Sequence, residues 1–336
     1  MTDPTIEQTP NTLPKTANKI PNIRRLWHDD KSENFMLEGC LTAVMKAIGE
    51  SPKYDYPFFL LLSGGFFTQV YSNTKVASSG STAHFDPDLV KNILDMCGYD
   101  YTYINKNTIL AQSDVVMGAI KAAIDKGIPV MTKGIGTVPE WSNIGGYGDD
   151  GVLLANVYLE DIPTDEHGYI EVKGGLSKSE GLFIIGEKIA APEYNDVLMM
   201  ALSSINDFIT KPDADGFSFG QKAFNDWADM LEDKSVNPRT AENKNFNADV
   251  TFQTIGYYFR AHYQKFIDAL PGFEPALKIK EFNDAVRAIA RPQTKDYFAS
   301  VQEMADPEFR QAMAAWARAV GDKHNDLLEY FDGAAE

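Results

Sequence analysis

The chain has 336 residues, 44% of them hydrophobic and 24% charged, which is enough to bury a sizeable core in one large domain or two ordinary ones. Its formal net charge of −17 argues against nucleic acid and anionic membranes as partners, because both call for clustered Lys and Arg. Cys40 and Cys97, the two cysteines, make a poor disulfide framework, and no CxxC or Cys/His spacing suggests a metal site, so no cofactor is expected.

The start, "MTDPTIEQTPNTLPKTANKIPN", is polar and rich in Pro and Thr. It lacks the apolar stretch of a signal peptide and reads as a flexible tail over residues 1–23. No apolar run reaches the ~18 residues of a membrane span, and the expected setting is cytoplasmic. In "ENFMLEGCLTAVMKAIGE", Leu37, Leu41, Val44, Met45 and Ile48 share one helical face, and Gly49 offers a stop. Cys40 falls in the first turn of that expected helix, on the flank of the apolar stripe.

"YPFFLLLSGGFFTQVYSN" is an apolar run that periodicity assigns to neither strand nor helix. "DPDLVKNILDMCGYD" carries a full set of helix signals, with Asp86 as N-cap, Pro87 at the first position and Gly98 at the end. A second helix follows in "DVVMGAIKAAIDKG", then a buried strand in "IPVMTKG". "EWSNIGGYGDDGVLLANVYLED" sets a hairpin turn, "GDDG", between two β-like runs, and "GYIEVKGG" and "EGLFIIGEK" extend the sheet pattern. Beyond residue 193 the remaining patterns are of helical period, broken by Pro, Gly and Asn. Antiparallel helix packing is their economical outcome.

A cysteine in the first turn of a helix sits at the positive end of the helix dipole, which favours thiolate. The segments "GCLTAVMKAIGE", "LLLSGGFFTQVY", "GIPVM" and "IGGYGDDGVLLANVY" resemble the N-terminal domain of butirosin-biosynthesis protein H, a group related to bacteriocin-processing, papain-like cysteine peptidases. The resemblance covers residues 33–160. It implies an α+β fold: a papain-like N-terminal domain of helices plus antiparallel sheet over 24–190, then an all-helical C-terminal domain over 193–333. It further implies Cys40 as nucleophile, Asn34 where the oxyanion-stabilising Gln is usual, and Asn156 where the residue orienting the base is usual. The catalytic His of the peptidases stands seven residues before the Tyr of the hairpin turn. Here that Tyr is Tyr147 and the position is Glu140.

Glu is a poor substitute. Its ordinary pKa near ~4.3 makes it a weak base toward a thiol near ~8.5, and its charge opposes thiolate formation. Two functions follow. One is a degenerate papain-like protein, a pseudoenzyme, that binds a small molecule or peptide in an interdomain cleft. The other is a Cys40-dependent acyltransferase or amidohydrolase with a relocated base, taking an amine or an acyl-carrier thioester.

Candidate ligand contacts are Gly64 and Gly65, whose backbone admits close approach, and Glu140 with Trp141, an anion and an aromatic face suited to a cationic amine. A bend in the core and a plain surface turn are the competing readings. His84, in a polar loop, and His262, on the apolar face of Phe252, Ile255, Phe259 and Phe266, are the candidate relocated bases. A histidine on such a stripe also reads as an ordinary core residue.

Overall fold

A computed structural model of the protein describes residues 17–21, 23–26, 33, 35–67, 69–72, 86–136, 140–157, 168–172, 174–205, 207, 213, 216–236, 263–294 and 299–334. Over these residues it is a mixture of helix and antiparallel sheet, as the α+β expectation requires.

Helix α1 (Met36–Ala47) runs from an extended Phe35 to a left-handed Gly49 at φ +83°, and ten of its residues are buried. Helix α2 (Tyr56–Leu62) resolves the ambiguous apolar run. The Asp55 carboxylate accepts the Phe58 N–H, Pro57 sits in the first turn, and all seven residues are buried. A helix covered on every side shows no polar face, which is why its period is invisible in the sequence. Strand β2 (Val70–Tyr71) follows. Helix α3 (Pro87–Met96) starts as expected, with the Asp86 carboxylate accepting the N–H groups of Asp88 and Leu89.

Strand β3 (Tyr99–Asn105) leads into α4 (Lys106–Ala111) and α5 (Ser113–Asp125). Strands β4 (Val130–Lys133), β5 (Trp141–Tyr147), β6 (Leu153–Val157), β7 (Ile170–Glu171) and β8 (Gly181–Lys188) complete the main sheet, in the order β3-β8-β4-β5-β6-β7 with every pair antiparallel. One sheet face presents Met131, Trp141 and Phe183 to the core that contains α1. The other presents Val130, Ile144 and Leu182 to Val116, Ile120 and Ile124 of α5.

A further strand, β1 (Asn18–Lys19), pairs with Tyr147 and Gly146, beyond the stretch of β5 that β4 covers. The expected flexible tail of residues 1–23 is therefore corrected at its end. Ile20 and Ile23 are buried, and the Ile20 N–H donates to the Gly145 carbonyl at 2.8 Å. Their apolar side chains gain more by burial than a free tail would keep in chain entropy.

The C-terminal half contains α6 (Tyr194–Ser203), α7 (Gly220–Glu232), α8 (Gln264–Ala269), α9 (Glu274–Ala288), α10 (Val301–Met304) and α11 (Pro307–Ala334). It is not all-helical, as the sequence suggested. Strand β9 (Ser218–Phe219) pairs with β2 and ties the two halves into a small second sheet. Nor does the hydrophobic core divide at residues 190–193. One cluster holds Cys40, Leu41 and Phe58 together with Tyr263, Phe266, Ile279, Leu327 and Phe331. Among the described residues no helix is long and apolar enough to cross a membrane.

Candidate functional site

Cys40 lies where α1 meets the sheet, and its side chain is wholly buried. The helix begins at Met36, so Cys40 is its fifth residue and not in its first turn. This corrects the expected placement. Because Phe35 already caps the helix from an extended conformation, the Gly39 N–H bonds to the Phe35 carbonyl at 3.3 Å. The unbonded N–H groups that would draw a thiolate lie ahead of Cys40.

The surroundings act in the opposite sense to activation. Burial pushes the Cys40 thiol well above its ordinary value, the carboxylates of Glu38 and Glu140 push it further, and only Arg24 pulls it back. Cys97 is similarly inert, pushed up to about 12 by burial. Neither cysteine is in a disulfide.

Asn156 is fully buried, and its amide is spent on the segment around Arg24 and Leu26. Its Nδ2 donates to the Arg24 carbonyl at 2.6 Å and its Oδ1 accepts the Leu26 N–H at 3.0 Å. Directly across the ladder from Asn156 is Asn143, a residue that sequence reading passed over. Asn143 is fully buried, and its Nδ2 donates to the Cys40 carbonyl at 3.1 Å. The strand alternation that puts Trp141 on the face toward α1 puts Asn143 there too, and that is the signal by which it could have been found. The two asparagines together fasten α1 and residues 24–26 to the centre of the sheet.

Glu38 is the second residue the sequence reading missed. It is fully buried, and burial raises its carboxyl to about 7, with the hydrogen bond from Ser63 opposing. Ser63 Oγ donates to Glu38 Oε1 at 2.5 Å, while Glu38 Oε2 has no hydrogen-bond partner among the described residues. A charged residue buried in an apolar helix two positions before Cys40 was the available clue.

Gly64 and Gly65 turn the chain back against this carboxyl. Gly64 is left-handed, at φ +70°. A Cβ on Gly65 would stand 2.8 Å from Leu60 Cδ2 and 3.3 Å from Glu38 Oε1. The two glycines therefore serve a tight internal bend. Their neighbour Phe66 packs its ring against Tyr263 and Phe266, so the junction between the two halves at this point is packed with aromatic rings.

Glu140 and Trp141 are both buried, not a surface turn, and Trp141 belongs to the same core as Cys40. Glu140 acts electrostatically on Cys40 on one side and on Lys133 on the other. Lys133, at the end of β4, is itself buried, and burial pulls its pKa down against the pull of Glu180 and Glu140. Arg24 forms an ion pair with Glu33, just before α1.

Asn34, His84 and His262 lie outside the described residues. Among the described residues the one histidine is His324, on α11. It is buried, with the rings of Phe224 at 4.8 Å and Phe282 at 5.0 Å, and serves packing in the C-terminal half. Among the described residues no three His, Cys, Asp or Glu side chains group as metal ligands would. A cavity of about 230 Å³ opens between α9 and α11, lined by Lys278, Glu281, Phe282, Lys323, Leu327 and Tyr330 among others. None of the expected site residues lines it.

No family model matches the sequence, and no curated protein matches it. The chemistry of the site therefore rests on its geometry. That geometry offers a suppressed thiol, a carboxylic acid that titrates near neutrality and a second buried carboxyl, both carboxyls acting on the thiol.

Proposed function

We propose that the chain is a degenerate papain-like protein of the butirosin-biosynthesis H-like group, which binds a small molecule or peptide through a cationic amine and does not cut or transfer it. The order of a cysteine-bearing helix followed by an antiparallel sheet supports the papain-like reading, as does the packing of α1 on the face that carries Trp141. One observation carries the loss of catalysis. The thiol of Cys40 is pushed up first by its complete burial and then by the carboxylates of Glu38 and Glu140, the latter at the position where the resemblance puts the base. A carboxylate there suppresses the thiolate that a nucleophile needs.

The same charges suit a cation. Buried carboxylates are stabilised by an ammonium brought against them, and Glu38 Oε2 still has an unused acceptor among the described residues. Calorimetric titration with n-butylammonium chloride at pH 7.5 tests this reading. Saturable binding is expected, weakened roughly tenfold in Glu140→Gln, the loss that one charged hydrogen-bonding partner gives. No binding, or equal binding by both proteins, overturns it.

One observation favours a second reading, a Cys40-dependent acyltransferase with Glu38 as the relocated base. A carboxyl raised to about 7 has the pKa a general base needs at neutral pH. Incubation with an acetyl thioester separates the two: an acetyl group found on Cys40 by mass spectrometry supports transfer, and its absence supports the binding protein.

A further inference from the structure

Two helices of the C-terminal half carry the same spacing of charge and apolar bulk. On α9, Lys278, Glu281, Phe282 and Ala285 stand at i, i+3, i+4 and i+7, and on α11 Lys323, Asp326, Leu327 and Tyr330 repeat it. That spacing puts each set on one helical face, and the two faces meet around the cavity of about 230 Å³. Each lysine pairs with the acid of its own helix, Lys278 with Glu281 at 2.8 Å and Lys323 with Asp326 at 2.5 Å.

The two helices run antiparallel here. Lys278 lies over the Tyr330 ring, 6.0 Å from its centroid, while Phe282, one turn on, meets the ring of His324 at 5.0 Å. The first residue of one set therefore faces the last residue of the other. At one end of the cavity that last residue is a tyrosine, which fills the space beside Lys278. At the other end it is Ala285, which leaves the space beside Lys323 open. The floor between them is Phe282 and the buried Leu327. Buried His324 packs edge-on against Phe282, so the floor is in place before any ligand arrives.

The charges around the cavity are balanced in number but not in position. Side-chain exposure is 38% for Lys278 against 65% for Glu281, and 42% for Lys323 against 59% for Asp326. The ammonium-bearing chains lie along the groove, and the carboxylates stand further out in water. An ammonium has three N–H donors, of which Asp326 takes one from Lys323. A void of ~150 Å³ takes up a benzene ring, so this one admits such a ring with a short acid arm.

We infer that the cavity between α9 and α11 binds a small aryl-alkanoate, its carboxylate on Lys323 and its apolar body in the space left by Ala285, against Phe282 and Leu327. The chain's net charge of −17 opposes an anion at a distance, so binding rests on these contacts and not on steering. The inference stands apart from the amine reading above, which concerns the Cys40 region and a ligand of opposite charge.

The test is calorimetric titration of the full chain with sodium 3-phenylpropanoate at pH 7.5. Saturable one-to-one binding is expected. Lys323→Met keeps an unbranched apolar chain without the ammonium and should weaken binding about tenfold, the loss of one charged hydrogen-bonding partner. Ala285→Phe places a ring in the void and should abolish binding. Both positions are only partly buried, so neither change burdens the core. No binding by the wild type, or binding by either variant equal to that of the wild type, overturns the inference. The titration with n-butylammonium reports the amine reading separately, so failure of one leaves the other standing.

Discussion

Ser63 Oγ donates to Glu38 Oε1 inside the core, and this single bond does not offset the cost of burying the carboxylate. The Glu38 carboxyl is raised from an ordinary 4.5 to about 7, so the fold prefers its protonated form. The stability this group contributes is intact below pH 4.5. It declines as the unfolded chain ionises first, and is lost above about 7. The loss amounts to about 3 kcal/mol, since each tenfold change in the proton equilibrium is worth ~1.4 kcal/mol. Glu38→Gln keeps the shape and removes the titration. Urea unfolding of both proteins at pH 4.5 and 8 should show the variant gaining on the wild type at the higher pH. A constant difference between them would mean that Glu38 ionises as freely folded as unfolded.

His324 has the opposite sign. Its imidazole is lowered from 6.5 to about 3 by burial, so the fold prefers it neutral. Stability from this preference is present above pH 6.5 and falls as the pH drops toward 3, because the unfolded chain takes up the proton first. At pH 5 the deficit is about 2 kcal/mol. His324→Leu, placed among Phe224 and Phe282, should be more acid-stable than the wild type by about that amount relative to pH 7.5. Parallel curves for the two proteins would contradict this.

Gly98 ends α3 in a left-handed conformation, φ +75°, with its carbonyl accepting from the N–H groups of Ile189 and Ala190. A Cβ there would stand 2.4 Å from the Ala190 carbonyl oxygen, a backbone atom that cannot swing away. Gly98→Ala should cost roughly 3 kcal/mol, from backbone strain and overpacking together. Gly49 has a similar φ of +83° and nothing within 4 Å of its Cβ position, so Gly49→Ala isolates the strain, about 1 kcal/mol. Equal costs from denaturant titration of the two variants would remove the Ala190 clash from the account.

The parts of the fold legible in the sequence are those whose signals are local. Asp86, Pro87 and Gly98 bound α3 where they should, and the "GDDG" turn joins β5 to β6 as a hairpin. Where the signal is long-range, sequence reading failed. The whole of α2 is buried, so it shows no period. Strands β2 and β9 have two residues each and exist only because they find one another across the chain. Residues 18–20 read as tail because the segment around them is polar, while their order comes from Gly145, Tyr147 and Tyr169, more than a hundred residues away in sequence.

The site divides in the same way. Cys40, Glu140, Trp141 and Asn156 are all buried around the meeting of α1 and the sheet. Their chemical roles were not legible, because each depends on a partner that only the tertiary fold supplies. Asn156 is satisfied by the backbone of Arg24 and Leu26, some 130 residues earlier in the chain. The Glu38 carboxyl takes its hydrogen bond from Ser63, the residue that ends α2.

The central claim is that Cys40 is a suppressed thiol and not a nucleophile. Its most direct test is the rate at which the native wild-type chain reacts with iodoacetamide at pH 7.5, read at Cys40 and set against free cysteine. With its thiol buried beside two carboxylates, Cys40 should react at least ~100-fold more slowly than free cysteine, as a thiol with so little thiolate must. Labelling of Cys40 faster than free cysteine, with Cys97 still unmodified, would contradict the account and restore a catalytic thiol.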